Sequence, residues 1–270
     1  MDADASFAVL NAEDRPPFFQ TLADAILQVR SINRIDAIQQ ARNHQFVLDT
    51  RLTRQQAETL KIILDNNGIP THVVSMDCLI QLGPAKWLSN ADCLDDAFVI
   101  QPVSAQPLRL AWDDIAMIGY GRVIGRRIER VTRNATAADM LSVNAVQACV
   151  WPGVPLRYRH QQTLMHEARE ITETHDCVDI FLGYIRDPQF AAHFRVFSNR
   201  FYYDYLGPRL QTSSTVNFRL FVNDIISRAR KLVATERTRR FVAGEIAGPA
   251  FKWFDKFDEY NQWSAALARM

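Results

Sequence analysis

A chain of 270 residues with 48% apolar and 23% charged side chains has enough material for a buried core and lacks the composition of a disordered protein. Its 31 Lys and Arg nearly balance its 30 Asp and Glu, which excludes a whole-chain field drawing it to nucleic acid or an anionic membrane, so any electrostatic site must be local. No apolar run approaches the ~18 residues of a membrane span, and the acidic start MDADASFAVLNAEDRPP lacks the basic and apolar regions of a secretory signal.

From the N-terminus, SFAVLN predicts a short strand and EDRPP a loop, with Pro16 and Pro17 suited to the first turn of a helix. Phe19, Leu22, Ala23, Ile26, Leu27 and Val29 follow helical spacing. Asn33 caps a second helix carrying Ile35, Ile38 and Ala41, and HQFVLDT is a strand. Thr53 and Gln56 have the form of a capping box for a third helix with Ala57, Leu60, Ile63 and Leu64 on one face; Asn67-Gly68 ends it and THVVSMD supplies a closing strand. Residues 1–78 thus read as a β-α-α-β-α-β module. Residues 79–97 are turn-rich and read as a connector.

A β-rich domain is expected over 98–235. FVIQP, LRLAW and IAMIGYGRVIGRRIERV read as strands, with Gly119, Gly121 and Gly125 suited to bends in a curved sheet. Residues 132–174 read as an insertion holding a helix around LMHEAREIT. VDIFLGY, HFRVFS and FYYDYL read as further strands, the last two joined through Ser198-Asn199. Phe218, Phe221, Val222, Ile225, Ile226, Ala229, Leu232 and Val233 form one stripe of an amphipathic helix beginning near Ser213. Strands followed by such a helix suggest a closed or half-closed barrel plugged by it, with a generic α+β sandwich as the alternative, and 236–270 is an aromatic-rich C-terminal segment. The fold class is α+β.

The first module, through FAVLNAEDRPPFF, IDAIQQARNH and LTRQQAETLKIILDNNGIPTHVV, resembles the layout shared by the ClpS adaptor family and the C-terminal domain of the ribosomal stalk protein. The ClpS resemblance implies a peptide-binding role in which Asn11 and His44 fall near two of the residues that hold a peptide α-amino group; Ala12 stands where that family has Asp. LAWDDIAMIGYGRV is similar to early strands of bacterial pleckstrin-homology-like modules, which implies a binding or scaffold role for the second domain.

Catalytic patterns do not stand out. There is no GxSxG elbow, and GYGRVIG lacks the Lys-Ser/Thr pair of a phosphate-binding loop. Cys78, Cys93, Cys149 and Cys177 form no CxxC pair and read as mostly buried free thiols in a reducing, cytoplasmic setting. Metal candidates are confined to His166, Glu170, His175 and Cys177; HEARE places His166 and Glu170 on one helix face without the second His of a zinc pair. Two basic runs could bind an anion: Arg122, Arg126, Arg127, Arg130 and Arg133, then Arg228, Arg230, Lys231, Arg237, Arg239 and Arg240. The tail offers Trp253, Phe254, Phe257 and Trp263, either docked on the chain's own core or anchoring a partner. The expectation is a non-enzymatic protein-binding adaptor or scaffold with no cofactor. The alternative is a module binding phosphate head groups of lipid, or nucleic acid, and a more distant one is a metal-dependent hydrolase built on residues 160–177.

Overall fold

The computed structural model describes residues 6–80, 82–101, 106–134, 164–183, 193–245 and 247–270, with backbone alone at 126–134 and 164–171. The chain divides into two compact units, 1–124 with 174–270, and 125–173. The boundary expected at residue 78 therefore falls inside the first unit.

The first unit begins with β1 (Phe7–Asn11), α1 (Phe19–Val29), α2 (Arg34–Asn43), β2 (Val47–Leu52), α3 (Arg54–Asn66) and β3 (Thr71–Ser75), the β-α-α-β-α-β order expected from the pattern. Asn33 caps α2 by accepting from the Asp36 N–H at 2.9 Å. Thr53 and Gln56 close the capping box of α3 at 3.2 and 3.0 Å. Gly68, at φ +74°, supplies the left-handed residue that ends that helix. Pro16 and Pro17 lie ahead of α1, which starts at Phe19. The sheet is antiparallel in the order β2-β1-β3. Val9 and Leu48 pack with Leu22, Ile26, Leu60 and Leu64 of the helices. Ala8, Leu10, Phe46, Val47 and Val74 belong to a different cluster, with Phe251, Phe257, Tyr260 and Trp263. Alternate residues of one strand serve opposite faces, so both faces of this sheet are covered.

The residues expected as a connector hold β4 (Lys86–Leu88) and β5 (Ala91–Cys93). Then follow β6 (Ala97–Ile100), β7 (Leu108–Ala111), β8 (Ile115–Asn134), β9 (Leu164–Leu182) and β10 (His193–Phe197). The C-terminal third holds α4 (Ser214–Arg228), β11 (Val233–Ala234), α5 (Glu236–Val242) and α6 (Phe254–Leu267). The strands described after β3 form the rows β11-β8-β9-β10-β4 and β5-β6-β7, and no closed barrel is found among the described strands. Phe218, Phe221, Val222 and Ile225 of α4 share one core with Phe98 and Ile100 of the small sheet and Ile118, Val178, Ile180 and Val196 of the large one.

Two local expectations are corrected. LMHEAREIT is part of strand β9, because pairing in the sheet overrides its helical propensity. FYYDYL is not a hairpin strand: Tyr202 makes one bridge with Asn90, and 204–209 is a 3-10 segment. Gly119 and Gly121 make room for packing. A Cβ at Gly119 would stand 2.0 Å from Asn261 Oδ1, and one at Gly121 would stand 2.7 Å from Phe257 and 2.8 Å from Phe251. Among the described residues no helix is long and apolar enough to cross a membrane.

Candidate functional site

Two features set side by side by β10 and α6 carry chemistry: a buried polar centre and an aromatic surface. The centre is built on Asp179 of β9, His193 and Arg195 of β10, and Asp258 and Asn261 of α6. Antiparallel pairing puts Arg195 opposite Asp179. Arg195 donates Nε to Asp179 Oδ1 at 2.7 Å and Nη2 to Oδ2 at 2.6 Å, and bonds Asp258 as well. Asn261 Nδ2 donates to Asp179 Oδ2 at 3.0 Å. Burial pushes the Asp179 carboxyl up, opposed by the Arg195 hydrogen bonds and charge. Burial alone would lower Arg195, but Asp179 and Asp258 hold it above its ordinary value. His193 Nε2 lies 3.8 Å from Asp179 Oδ2, and its ring stacks on Phe181 at 4.9 Å. Burial lowers the imidazole, and neither ring nitrogen has a hydrogen-bond partner among the described residues.

Asp179, His193 and Asp258 offer three ligand atoms within 4.8 Å of one another. The guanidinium of Arg195 already stands between the two carboxylates as their counter-ion. A divalent cation there would face a fixed positive charge and would have to take carboxylate oxygens held by hydrogen bonds, so the donor set does not suit a metal. The arrangement is a neutralised ionic knot that ties α6 to the sheet. The sequence carried a signal for it, an acid inside the apolar run VDIFLGY and an arginine inside HFRVFS, because charges in buried strands require partners.

The aromatic surface centres on buried Phe197. Trp87 packs on it at 4.9 Å, Phe254 meets it edge-on at 5.7 Å, and His175 approaches at 6.2 Å. The Arg200 guanidinium lies 5.5 Å from the Trp87 ring centre and 5.8 Å from that of Phe197. Beneath the surface, Arg195 stacks on Phe254 at 4.9 Å, joining this cluster to the polar centre. Trp87 remains 63% exposed, Tyr202 64% and Trp253 46%.

The sequence-derived candidates divide accordingly. The half-buried Phe254 lies at this surface and Trp253, its chain neighbour, is exposed, whereas Phe257 and Trp263 are buried against the first module and cannot anchor a partner. Asn11 is buried and internally satisfied: Nδ2 donates to the Arg15 carbonyl at 2.6 Å, and Oδ1 accepts from the Glu13 N–H at 3.2 Å. Trp263 Nε1 donates to the Asn11 carbonyl at 2.6 Å, and Lys256 Nζ to that of Asn43, beside the half-buried His44. Helix α6 therefore lies over the place implied for a peptide amine.

Arg228, Lys231 and Arg237 among the anion candidates are paired with acids. Arg228 pairs with Asp224 at 3.3 Å and Asp95 at 3.6 Å, and Lys231 with Asp113 at 2.6 Å; Arg230 is exposed. Arg237 is buried against Asp14 at 2.8 Å and stacks on Phe251 and Tyr260. Arg122 donates to the Gly248 carbonyl at 2.9 Å, while the side chains of Arg126 and Arg127 lie outside the described residues.

The metal candidates separate. His166 and Glu170 lie on a strand, where four residues span about 13 Å instead of one helical turn. His175 Nδ1 is 3.3 Å from Asn199, and the Cys177 thiol, pushed well up by burial, donates to the Gly121 carbonyl at 3.3 Å. Cys93 is likewise buried, its thiol pushed up to about 12 by burial, and Cys149 lies outside the described residues. Comparison of the chain with protein families, with curated proteins and with solved structures gives no match.

Proposed function

We propose that this chain is a non-enzymatic protein-binding scaffold that engages its partner through the aromatic surface formed by Trp87 and Phe254 around Phe197. The observation that carries the reading is Trp87, 63% exposed although it packs on Phe197. A large aromatic anchored on one face and left in water on the other has the character of an interface anchor. The charged residues give weaker support to catalysis, because the polar centre is neutralised internally and serves packing. The element order of residues 7–75 supports the ClpS-like resemblance as a shared layout; the ligand role does not carry over to an Asn11 spent on local hydrogen bonds.

The test is affinity capture from host lysate with wild-type and Trp87→Ala baits, washed at low and high salt. A protein that survives high salt and is lost with Trp87→Ala supports the scaffold. Recovery of only nucleic acid or lipid, released by salt, sinks it.

A further inference from the structure

We infer, resting on the scaffold reading, that the partner contributes an extended acidic segment that pairs as an added strand with the outer edge of β4. Strand β4 terminates the five-stranded row, bonded on one side to β10 in parallel register, with Trp87 opposite Arg195. No described strand covers its other side. A short free edge with an anchoring side chain is the geometry of strand addition, in which main-chain hydrogen bonds give affinity and side chains give selectivity. The edge available is short. Past Leu88, the Ser89 carbonyl accepts from the Tyr202 N–H at 2.8 Å and the Asn90 carbonyl from the Gln101 N–H at 3.0 Å.

Charge selects the occupant. Side chains alternate across a strand, so Trp87 and Lys86 face opposite sides of the sheet. Arg200 lies over Trp87 on its side, and Lys86 is exposed on the other. Neither cation has a carboxylate partner among the described residues, whereas Arg228, Lys231, Arg239 and Arg240 do. An added strand therefore meets a cation on each face, which favours acidic residues at successive positions. The same charges argue against a second copy of this chain, since edge-to-edge pairing would bring like charges together. The other exposed edge of this region, β7, lacks these features: its exposed large side chain is the aliphatic Leu108, and its Arg109 pairs with Asp96.

The experiment is fluorescence anisotropy with three labelled nonapeptides: valines flanking three successive aspartate or glutamate residues, the same with lysine at the acidic positions, and the acidic one with a central proline. The acidic peptide is expected to bind at least tenfold more tightly than either of the others, more weakly at high salt, with a tenfold loss in Trp87→Ala. Arg200→Glu, an exposed change, is expected to shift preference toward the lysine peptide. Equal binding of the acidic and lysine peptides, tolerance of the central proline, or binding unchanged in both variants overturns the inference. Should the lysate partner be lost with Trp87→Ala while no acidic strand binds, the scaffold reading survives and the strand inference falls.

Discussion

The Asp179–Arg195 pair gives the most discriminating test of how this fold is held together. Replacing Arg195 by Met removes two hydrogen bonds to a fully buried carboxylate, leaving Asp179 with Asn261 as its remaining donor. Breaking one side of a buried ion pair costs about 3–5 kcal/mol, chiefly from the stranded charge. Asp258, 37% exposed, recovers water and adds little. Asp179→Leu strands the guanidinium instead, with Asp258 still beside it, and belongs at the lower end of that range. The double variant Asp179→Leu with Arg195→Met leaves no stranded charge in the strands and is expected to lie within about 2 kcal/mol of wild type. Urea unfolding at pH 7, followed by tryptophan fluorescence and circular dichroism, reads all four proteins and tests whether the transition is two-state. The coupling between the sites should be about 3 kcal/mol or more. Additive single effects, with coupling below about 1 kcal/mol, would show that the pair is not the unit described and refute the reasoning.

Other consequences follow from the same contacts. Gly119→Ala drives a methyl onto Asn261 and is expected to cost about 1–3 kcal/mol in urea unfolding, partly restored by Asn261→Ala. Glu259 Oε1 accepts the backbone N–H groups of Gln45, Phe46 and Val47 at 2.7, 2.9 and 3.2 Å; Glu259→Ala should cost about 2–4 kcal/mol and speed amide exchange at those three residues first. Burial holds the folded imidazole of His193 below its unfolded value of 6.5, with Arg195 acting the same way and Asp179 against it. Its contribution is therefore complete above pH 6.5 and lost as pH falls below it, by up to about 1.4 kcal/mol per unit. His193→Phe, which can keep the stack on Phe181, should flatten the stability profile between pH 6.5 and 5 and be at least as stable as wild type at pH 5; a loss above about 2 kcal/mol at pH 7 would mean that the ring nitrogens are bonded. A fragment of residues 1–78 bares Leu10, Phe46 and Val47, so it should bind a hydrophobic dye and lack dispersed amide resonances; a well-dispersed spectrum would count against the shared core.

What the sequence showed best was local. The capping box at Thr53, the Asn67-Gly68 stop and the stripe of α4 as far as Ile226 are short-range signals that mark the elements they indicated, although Ala229, Leu232 and Val233 lie past the helix end at Arg228 and Val233 belongs to β11. The misses are long-range. Lys86-Trp87-Leu88 is a strand because β10 pairs with it, and three residues carry no period of their own. The glycines of GYGRVIG read as bends because nothing near them shows that Phe257 and Asn261, some 140 residues away, will lie on that backbone. The polar centre was legible only in part. Asp179 and Arg195 are charges inside apolar runs, a signal the strand reading passed over, and their partnership with Asp258 and Asn261 depends on how α6 docks.

The aromatics of the tail show why composition alone could not separate core from interface. Trp263 is buried with its indole N–H on the Asn11 carbonyl, and Tyr260 with its hydroxyl accepting from the Arg237 N–H at 3.3 Å. Tyr203 and Trp112 likewise give their polar hydrogens to the carbonyls of Ser198 and Leu94. A buried Tyr or Trp needs such a partner, and each of these finds one far from or near to itself in the chain. Trp87 and Tyr202 find none among the described residues and remain in water. The rule that draws the first group inward therefore leaves the second with both an apolar face and an unused donor at the surface. That combination is what the proposed partner would have to satisfy.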